Sequence, residues 1–263
     1  MTIPFTKAHG AGNDFLLSWS DAIPASHLPE TARAICDRHT GIGADGWILV
    51  RDTSIRLFNS DGSEAELSGN GTRCAAALLI DSGHASTEVT IQTGAGPKHL
   101  RLLERRGRRF MFEMNMGQPV FDESHLRFSL ALRNGAREVT ILDVGNPQCV
   151  VFVKDFPDDW ITLGAEIEAH PHFPKHTNVS FVRSLDEHTI EARFYERGAG
   201  ATLSSGTGST GAAAAAILRK LAISPVDVRA PGETLRLRWD DSVFLTGPAE
   251  LVATGEFFLP SSA

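Results

Sequence analysis

At 263 residues, with 42% apolar and 22% charged side chains, the chain has the composition of a globular protein and room for two ordinary domains. Its net charge of −7, with no block of Lys or Arg, excludes a nucleic-acid surface, and the apolar runs near Cys74–Ile80 and Ala212–Leu218 are too short to span a membrane. The opening MTIPFTKAHG has no apolar signal core, and three widely spaced cysteines (Cys36, Cys74, Cys149) fit a reducing cytoplasm better than a disulfide framework.

In chain order, Ile3–Lys7 and Phe15–Leu17 read as strands joined by the turn HGAGND. Thr31–His39 reads as a short helix stopped by Gly41, and Gly43-Ala44-Asp45-Gly46 leads into the strand Trp47–Val50. Ile55–Phe58 is a further strand before a serine-glycine loop and an alanine helix. Val89–Phe121 alternates in short segments broken by glycine and basic residues, a meander of strands. Strands follow at Val139–Val144, Cys149–Val153, Val179–Val182 and Thr189–Tyr195, with Asp155–His176 a polar connection. A second serine-glycine loop and alanine helix come next, then a strand-rich tail, Val226–Leu259, with turns at Pro231-Gly232 and Asp240-Asp241.

The two loop-helix segments are copies of one pattern. RLFNSDGSEAELSGNGTRCAAALLI (56–80) aligns without a gap on RFYERGAGATLSSGTGSTGAAAAAI (193–217) at an offset of 137. Ser68 falls on Ser205, Gly69 and Gly71 on Gly206 and Gly208, and Ile80 on Ile217; Gly12-Asn13 matches Gly145-Asn146 at an offset of 133. Two copies are too few for a solenoid, so the pattern predicts two similar halves. Glycines allow close backbone approach, a serine caps the helix, and the helix start points N–H groups and the positive end of its dipole at a carboxylate or phosphate. Two such starts would clamp one anionic ligand, with one serine from each half.

Other signals have plainer explanations. Gly206–Gly211 is a formal GxGxxG, but too little chain follows it to complete a dinucleotide domain. His170, His172 and His176 lie in a proline-containing polar loop without metal-ligand spacing, and no metal is expected. Asp45 and Asp61 sit in glycine-rich loops where turn chemistry accounts for an Asp, and His9 precedes the GAGND turn.

Six segments in order resemble the diaminopimelate epimerase family: FTKAHGAGNDF (5–15), DRHTGIGADG (37–46), FNSDGSEAELSGNGTRC (58–74), VGNPQCVVFV (144–153), NVSFV (178–182) and YERGAGATLSSGTG (195–208). The resemblance implies an α+β fold of two pseudo-symmetric α/β domains, each a mixed sheet wrapped around a central helix, with the substrate between them. The corresponding halves are 1–118, with the C-terminal tail packing back on it, and 119–263. It implies a cytoplasmic, usually homodimeric enzyme that interconverts LL- and meso-diaminopimelate by two-base α-proton transfer, with neither metal nor pyridoxal cofactor. Carried over by position, Asn13, Asn59, Asn146, Asn178, Glu196 and Arg197 would hold the substrate's polar ends. The backbone at Gly69-Asn70 and Gly206-Thr207 would bind the carboxylate beside the reacting carbon, where it also stabilises charge as the α-proton leaves.

The chain departs from the family at its bases. The family's two catalytic cysteines fall on Ser68 and Ser205, and its histidine after Gly-Asn-Pro is Gln148, which takes up no proton usefully; Glu196 survives. A helix start can bring a thiol into the neutral range, whereas a serine hydroxyl needs a neighbouring base. Cys74, six positions beyond Ser68, is not placed to replace it. Three readings follow: an epimerase working through Ser68, Ser205 and Glu196; a relative with changed chemistry, such as another amino-acid racemase or a β-hydroxy amino acid dehydratase; or a non-catalytic amino-acid-binding protein. The intact set of polar contacts favours diaminopimelate as the ligand.

Overall fold

The structure, a computed structural model, describes residues 2–23 and 26–259. Contacts divide the chain into two units, residues 1–114 with 248–263, and residues 115–247.

The first unit is built from β1 (Thr2–Gly10), β2 (Asn13–Trp19), α1 (Leu28–Cys36), β3 (Gly46–Arg51), β4 (Ser54–Asn59), β5 (Glu64–Ala65), α2 (Gly69–Asp81), β6 (Glu88–Thr93), β7 (Gly96–Arg106) and β8 (Arg109–Gly117, to residue 114). The second holds β9 (Val120–Phe121), β10 (Phe128–Leu132), β11 (Gly135–Asp143), β12 (Pro147–Phe152), α3 (Trp160–Glu168), β13 (Asn178–Asp186), β14 (Thr189–Glu196), β15 (Gly200–Thr202), α4 (Gly206–Leu218), β16 (Val226–Arg229) and β17 (Thr234–Trp239). The last strand, β18 (Val243–Phe258), pairs with β17 through Val243–Thr246 and with β1 through Glu250–Phe258.

Both units are mixed sheets wrapped around one helix. In the first, hydrogen bonding runs β1–β2–β3–β4–β6–β7–β8–β18 and back to β1, so the sheet closes on itself; β2·β3 and β4·β6 are its parallel pairs. In the second the order is β11–β12–β13–β14–β16–β17, and the parallel pairs are β12·β13 and β14·β16. In both units the parallel pairs are joined by crossovers that carry the helices, α1 and α2 in the first and α3 and α4 in the second.

The enclosed helices explain the alanine runs. Residues Gly69–Leu79 of α2 and Gly206–Ala216 of α4 are all buried, and strands contact each helix on several sides. A helix buried all round must be small-sided for strands to close over it. A Cβ on Gly208 would come 2.7 Å from Phe194 Cδ1, so close approach requires that glycine, whereas one on Gly71 would meet the movable Ile48 Cδ1 at 2.9 Å. Outside the sheets, α1 packs on β3 and β4 and α3 on β13 and β14, each over its own apolar cluster.

Two local expectations are corrected. The helix expected at Thr31–His39 lies at Leu28–Cys36. It starts earlier because Pro29 suits a first helical turn, and it ends earlier because the Asp37 carboxylate accepts from the backbone N–H of His39 and Thr40 at 2.8 and 2.6 Å. The polar connection Asp155–His176 contains α3, which buries Leu163, Gly164 and Ile167 on one face.

Candidate active site

Each alanine helix begins at a serine in extended conformation, Ser68 at φ −129°, ψ 120° and Ser205 at φ −136°, ψ 122°. The Ser68 hydroxyl oxygen accepts from the Gly71 N–H at 3.1 Å, and that of Ser205 from the Gly208 N–H at 3.0 Å. These are ordinary N-caps, repeated at the same offset as the sequence. The N–H groups of Gly69 and Asn70, and of Gly206 and Thr207, have no carbonyl one turn back within their helices. Together with the helix dipole they favour an anion in front of each helix.

The two starts differ in what surrounds the serine. The Ser205 hydroxyl, 1% exposed, donates to Glu196 Oε2 at 2.7 Å, while Thr202 donates to Glu196 Oε1 at 2.8 Å. Ser68 is half-buried, and among the described residues no carboxylate pairs with its hydroxyl. The sequence register accounts for this: Asn59 stands where the second copy has Glu196, and Ala65 where it has Thr202. Asn59 spends its amide on its own turn, donating to Ser63 Oγ at 3.0 Å. Only the second unit therefore couples its serine to a group that can take up a proton.

The remaining second-unit candidates form one connected cluster. Asn146 donates to Thr207 Oγ1 at 3.3 Å and accepts from Gln148 Nε2 at 2.6 Å. Asn178, opposite Gln148 in the parallel β12·β13 register, donates to the Pro147 carbonyl at 3.0 Å and accepts from the Arg197 N–H at 3.1 Å. The Arg197 guanidinium donates to the Lys175 carbonyl at 3.2 Å. Gln148 is fully buried, with no partner for its Oε1.

In the first unit, Asn13 lies at the β1–β2 turn and accepts from Asn70 Nδ2 at 3.1 Å. Its own Nδ2 donates to Asp45 Oδ2 at 2.6 Å. Asp45 is thus a correction to its expected role as a turn residue, for it also accepts from the Asp14 N–H and from Arg38 at 3.1 and 2.8 Å. Asp61 does serve its own turn, accepting from Ser63. Asp14 lies below the ordinary carboxylate range: burial alone would raise it, but hydrogen bonds from Arg38 and Lys7 and their charges outweigh that.

Sequence reasoning also passed over Arg73 and Thr202. Arg73, with no exposed surface, was detectable as the one charged residue in the buried stretch Gly69–Leu79 of α2. Cys74 is fully buried, and burial pushes its thiol up to about 12, which removes it as a base near neutrality. His170 and His176 contact the Ala131 carbonyl and Glu168, and His172 stacks on Phe128. An open groove of about 320 Å³ beside Leu49, Arg51 and Arg56 contains none of the candidate residues. Among the described residues no helix is long and apolar enough to cross a membrane.

Comparison with known proteins bears on this arrangement. Structures of similar fold include a probable proline racemase from Agrobacterium radiobacter (TM-score 0.73, 16% identity, 98% of this chain and 93% of that one) and a hydroxyproline epimerase from Agrobacterium vitis with bound trans-4-hydroxy-L-proline (0.72, 15%, 98% and 93%). A phenazine biosynthesis protein of the PhzF family from Bacillus anthracis also matches (0.69, 16%, 98% and 100%). In sequence, diaminopimelate epimerases of Pelotomaculum thermopropionicum and Trichodesmium erythraeum are 37% and 38% identical, over 96% and 97% of this chain and 98% and 99% of their own. The sequence model for diaminopimelate epimerase matches residues 5–121 and 140–252. A paired plan of capped, enclosed helices, matched in sequence along almost its whole length, makes this chain a member of the diaminopimelate epimerase family.

Proposed function

We propose that the protein is a cofactor-independent epimerase of diaminopimelate in which the unit holding α4 supplies the base. The observation that carries this is the hydrogen bond from Ser205 to Glu196 at a helix start, in a chain whose full-length relatives are diaminopimelate epimerases. As the Cα–H bond breaks, Ser205 Oγ takes the α-proton and passes its own to Glu196 Oε2, leaving a neutral carboxylic acid. The electron pair stays on the carbon and its carboxylate, where helix-start N–H groups stabilise it. Ser68, a neutral hydroxyl supported at its oxygen by the Gly71 N–H, acts as the acid: it gives its proton to the carbon and recovers one from water, while Glu196 releases its proton to water, and the hydroxide and proton so formed combine. Asn13, Asn59, Asn146, Asn178 and Arg197 hold the polar ends of the substrate, and Gly69-Asn70 and Gly206-Thr207 its reacting carboxylate. Three free, buried cysteines suit a cytoplasmic protein, and we take a homodimer as its working form.

The test is α-deuterium uptake and isomer conversion in D2O with LL-diaminopimelate. The unaltered chain is expected to exchange and invert slowly, and the Ser68→Cys/Ser205→Cys variant at least ~100-fold faster, since each thiol ionises far more readily than a hydroxyl. Glu196→Gln in the unaltered background is expected to lower exchange at least ~100-fold. No exchange by either the unaltered chain or the double variant would refute the substrate. The lone carboxylate at Ser205 also favours a second reading, removal of water from a β-hydroxy amino acid, which needs proton abstraction on one face only. Release of a keto acid from such substrates, without deuterium uptake into diaminopimelate, would select it.

A further inference from the structure

The two ends of a carboxamide differ only in what they can donate or accept, so its neighbours decide its orientation. Arg73, inside α2, can only donate. Its Nε donates to the Pro248 carbonyl at 3.0 Å, and its terminal nitrogens to the Gly69 carbonyl at 3.2 Å and to Asn70 Oδ1 at 2.5 Å. The oxygen end of Asn70 is thereby fixed on Arg73, and its nitrogen end donates to Asn13 Oδ1. Asn13 is left to donate through Nδ2, and Asp45, which accepts from Arg38 and Asp14 as well, receives it. With a donor-only group at one end and an acceptor at the other, one arrangement of the two amides satisfies the chain. Turning either amide over sets donor against donor and acceptor against acceptor.

The second unit shows that the fold itself does not require this. Thr210 occupies the position of Arg73 and bonds the equivalent carbonyl, Gly206, at 2.8 Å. Asn146, the counterpart of Asn13, is turned the other way: its nitrogen donates to the helix residue Thr207 and its oxygen accepts from Gln148. Hydroxyl and amide groups end that chain, and both can donate or accept. The pinned orientation is a property added to the first unit.

We infer that Arg73 and Asp45 are positioning residues that hold the Asn13 carboxamide in one orientation, leaving one N–H and one oxygen lone pair in fixed places for a polar end of the amino-acid substrate. This rests on the substrate role given to Asn13 above.

The experiment compares the unaltered protein, Asp45→Asn, and the swapped pair Asn13→Asp/Asp45→Asn. It reads thermal midpoint, side-chain amide signals by 15N NMR, and Kd for LL-diaminopimelate by calorimetry. Asp45→Asn is expected to shift the Asn13 amide signals and raise Kd by about tenfold or more. The swapped pair restores a donor facing an acceptor between positions 13 and 45 and loses only the Asp14 N–H, which shares Asp45 Oδ2 with Asn13, so most of its thermal midpoint is expected to return while Kd stays raised. Unchanged Kd and amide signals in Asp45→Asn would overturn the inference. Recovery of Kd together with the thermal midpoint in the swapped pair would also overturn it, by making the pair structural only. Pinned amide signals in an unaltered protein that does not bind LL-diaminopimelate would instead remove the substrate reading, and the positioning role with it.

Discussion

The internal repeat provides its own control for the energetics of the helix starts. Ser68→Ala removes a cap: one hydroxyl accepting from Gly71 N–H, at a cost of about 1 kcal/mol. Ser205→Ala removes the equivalent cap and also the hydroxyl donated to Glu196 Oε2. Hydrogen bonds to charged groups contribute about 1.5–3 kcal/mol, and Glu196 is half-buried and still reachable by water, so the lower end applies. The expected losses are therefore about 1 kcal/mol for α2 and about 2.5 kcal/mol for α4. Because the chain has two units, one global unfolding energy is a poor measure, and peptide-resolved hydrogen exchange over 69–81 and 206–218 is the suitable assay. Protection of α2 should fall about fivefold in Ser68→Ala, and that of α4 about 60-fold in Ser205→Ala. In a Glu196→Gln background the Ser205→Ala loss should shrink toward that of Ser68→Ala, the coupling a double-mutant cycle reads. Equal losses for the two serines, or no coupling to Glu196, would refute the reasoning.

Three further outcomes are expected. Gly208→Ala should cost about 2–3 kcal/mol, since its Cβ meets the stiff, buried Phe194 ring at 2.7 Å and Ser205 Cβ at 2.9 Å. Gly71→Ala meets a rotatable Ile48 methyl at 2.9 Å and regains helix propensity, so about 1 kcal/mol or less is expected by the same peptide-resolved hydrogen exchange. The lowered pKa of Asp14 contributes stability that is present above its ordinary value of 3.8 and lost as pH falls through the folded value. Arg38→Gln should lower the plateau and flatten the acid limb in a melting series against pH. Finally, Cys36, Cys74 and Cys149 are buried, and burial pushes the first two thiols up to about 12 and the third higher still. A disulfide reagent at about pH 8.5 should label the native protein only through unfolding, and all three sites at once in guanidinium.

What could be read from the sequence was whatever the chain states locally or states twice. The offset between Ser68 and Ser205 placed both helices and both caps in two similar halves, and the family resemblance added the sheet around each helix. The same alignment sets Asn59 against Glu196, so the unequal surroundings of the two serines were visible as well. Asp45 was misread because its decisive partner, Asn13, lies 32 positions away, while the glycines beside it suggest a turn. The α3 helix was missed because it is nine residues long and fully buries only Leu163, Gly164 and Ile167, with Trp160 packed at the edge of the same cluster, too short a stripe to stand out in a polar connection. Arg73 carried a signal, a charge amid alanines, but its meaning depends on the Pro248 carbonyl 175 positions away.

The division of the chain has a consequence for synthesis. The unit holding α4 is one continuous stretch, complete when residue 247 has been made. The unit holding α2 is not: β1, paired with β2 on one side, lacks its other neighbour, and Arg73 its Pro248 acceptor, until β18 is finished. The N-terminal part of the chain must therefore wait, its sheet still one strand short, until residues beyond 247 reach it. A released chain cut short after residue 247 should protect 206–218 from a protease and leave 69–81 open to it. Removal of the final strand, on the same logic, should act as an opening of the first unit and not as a trimming of its end.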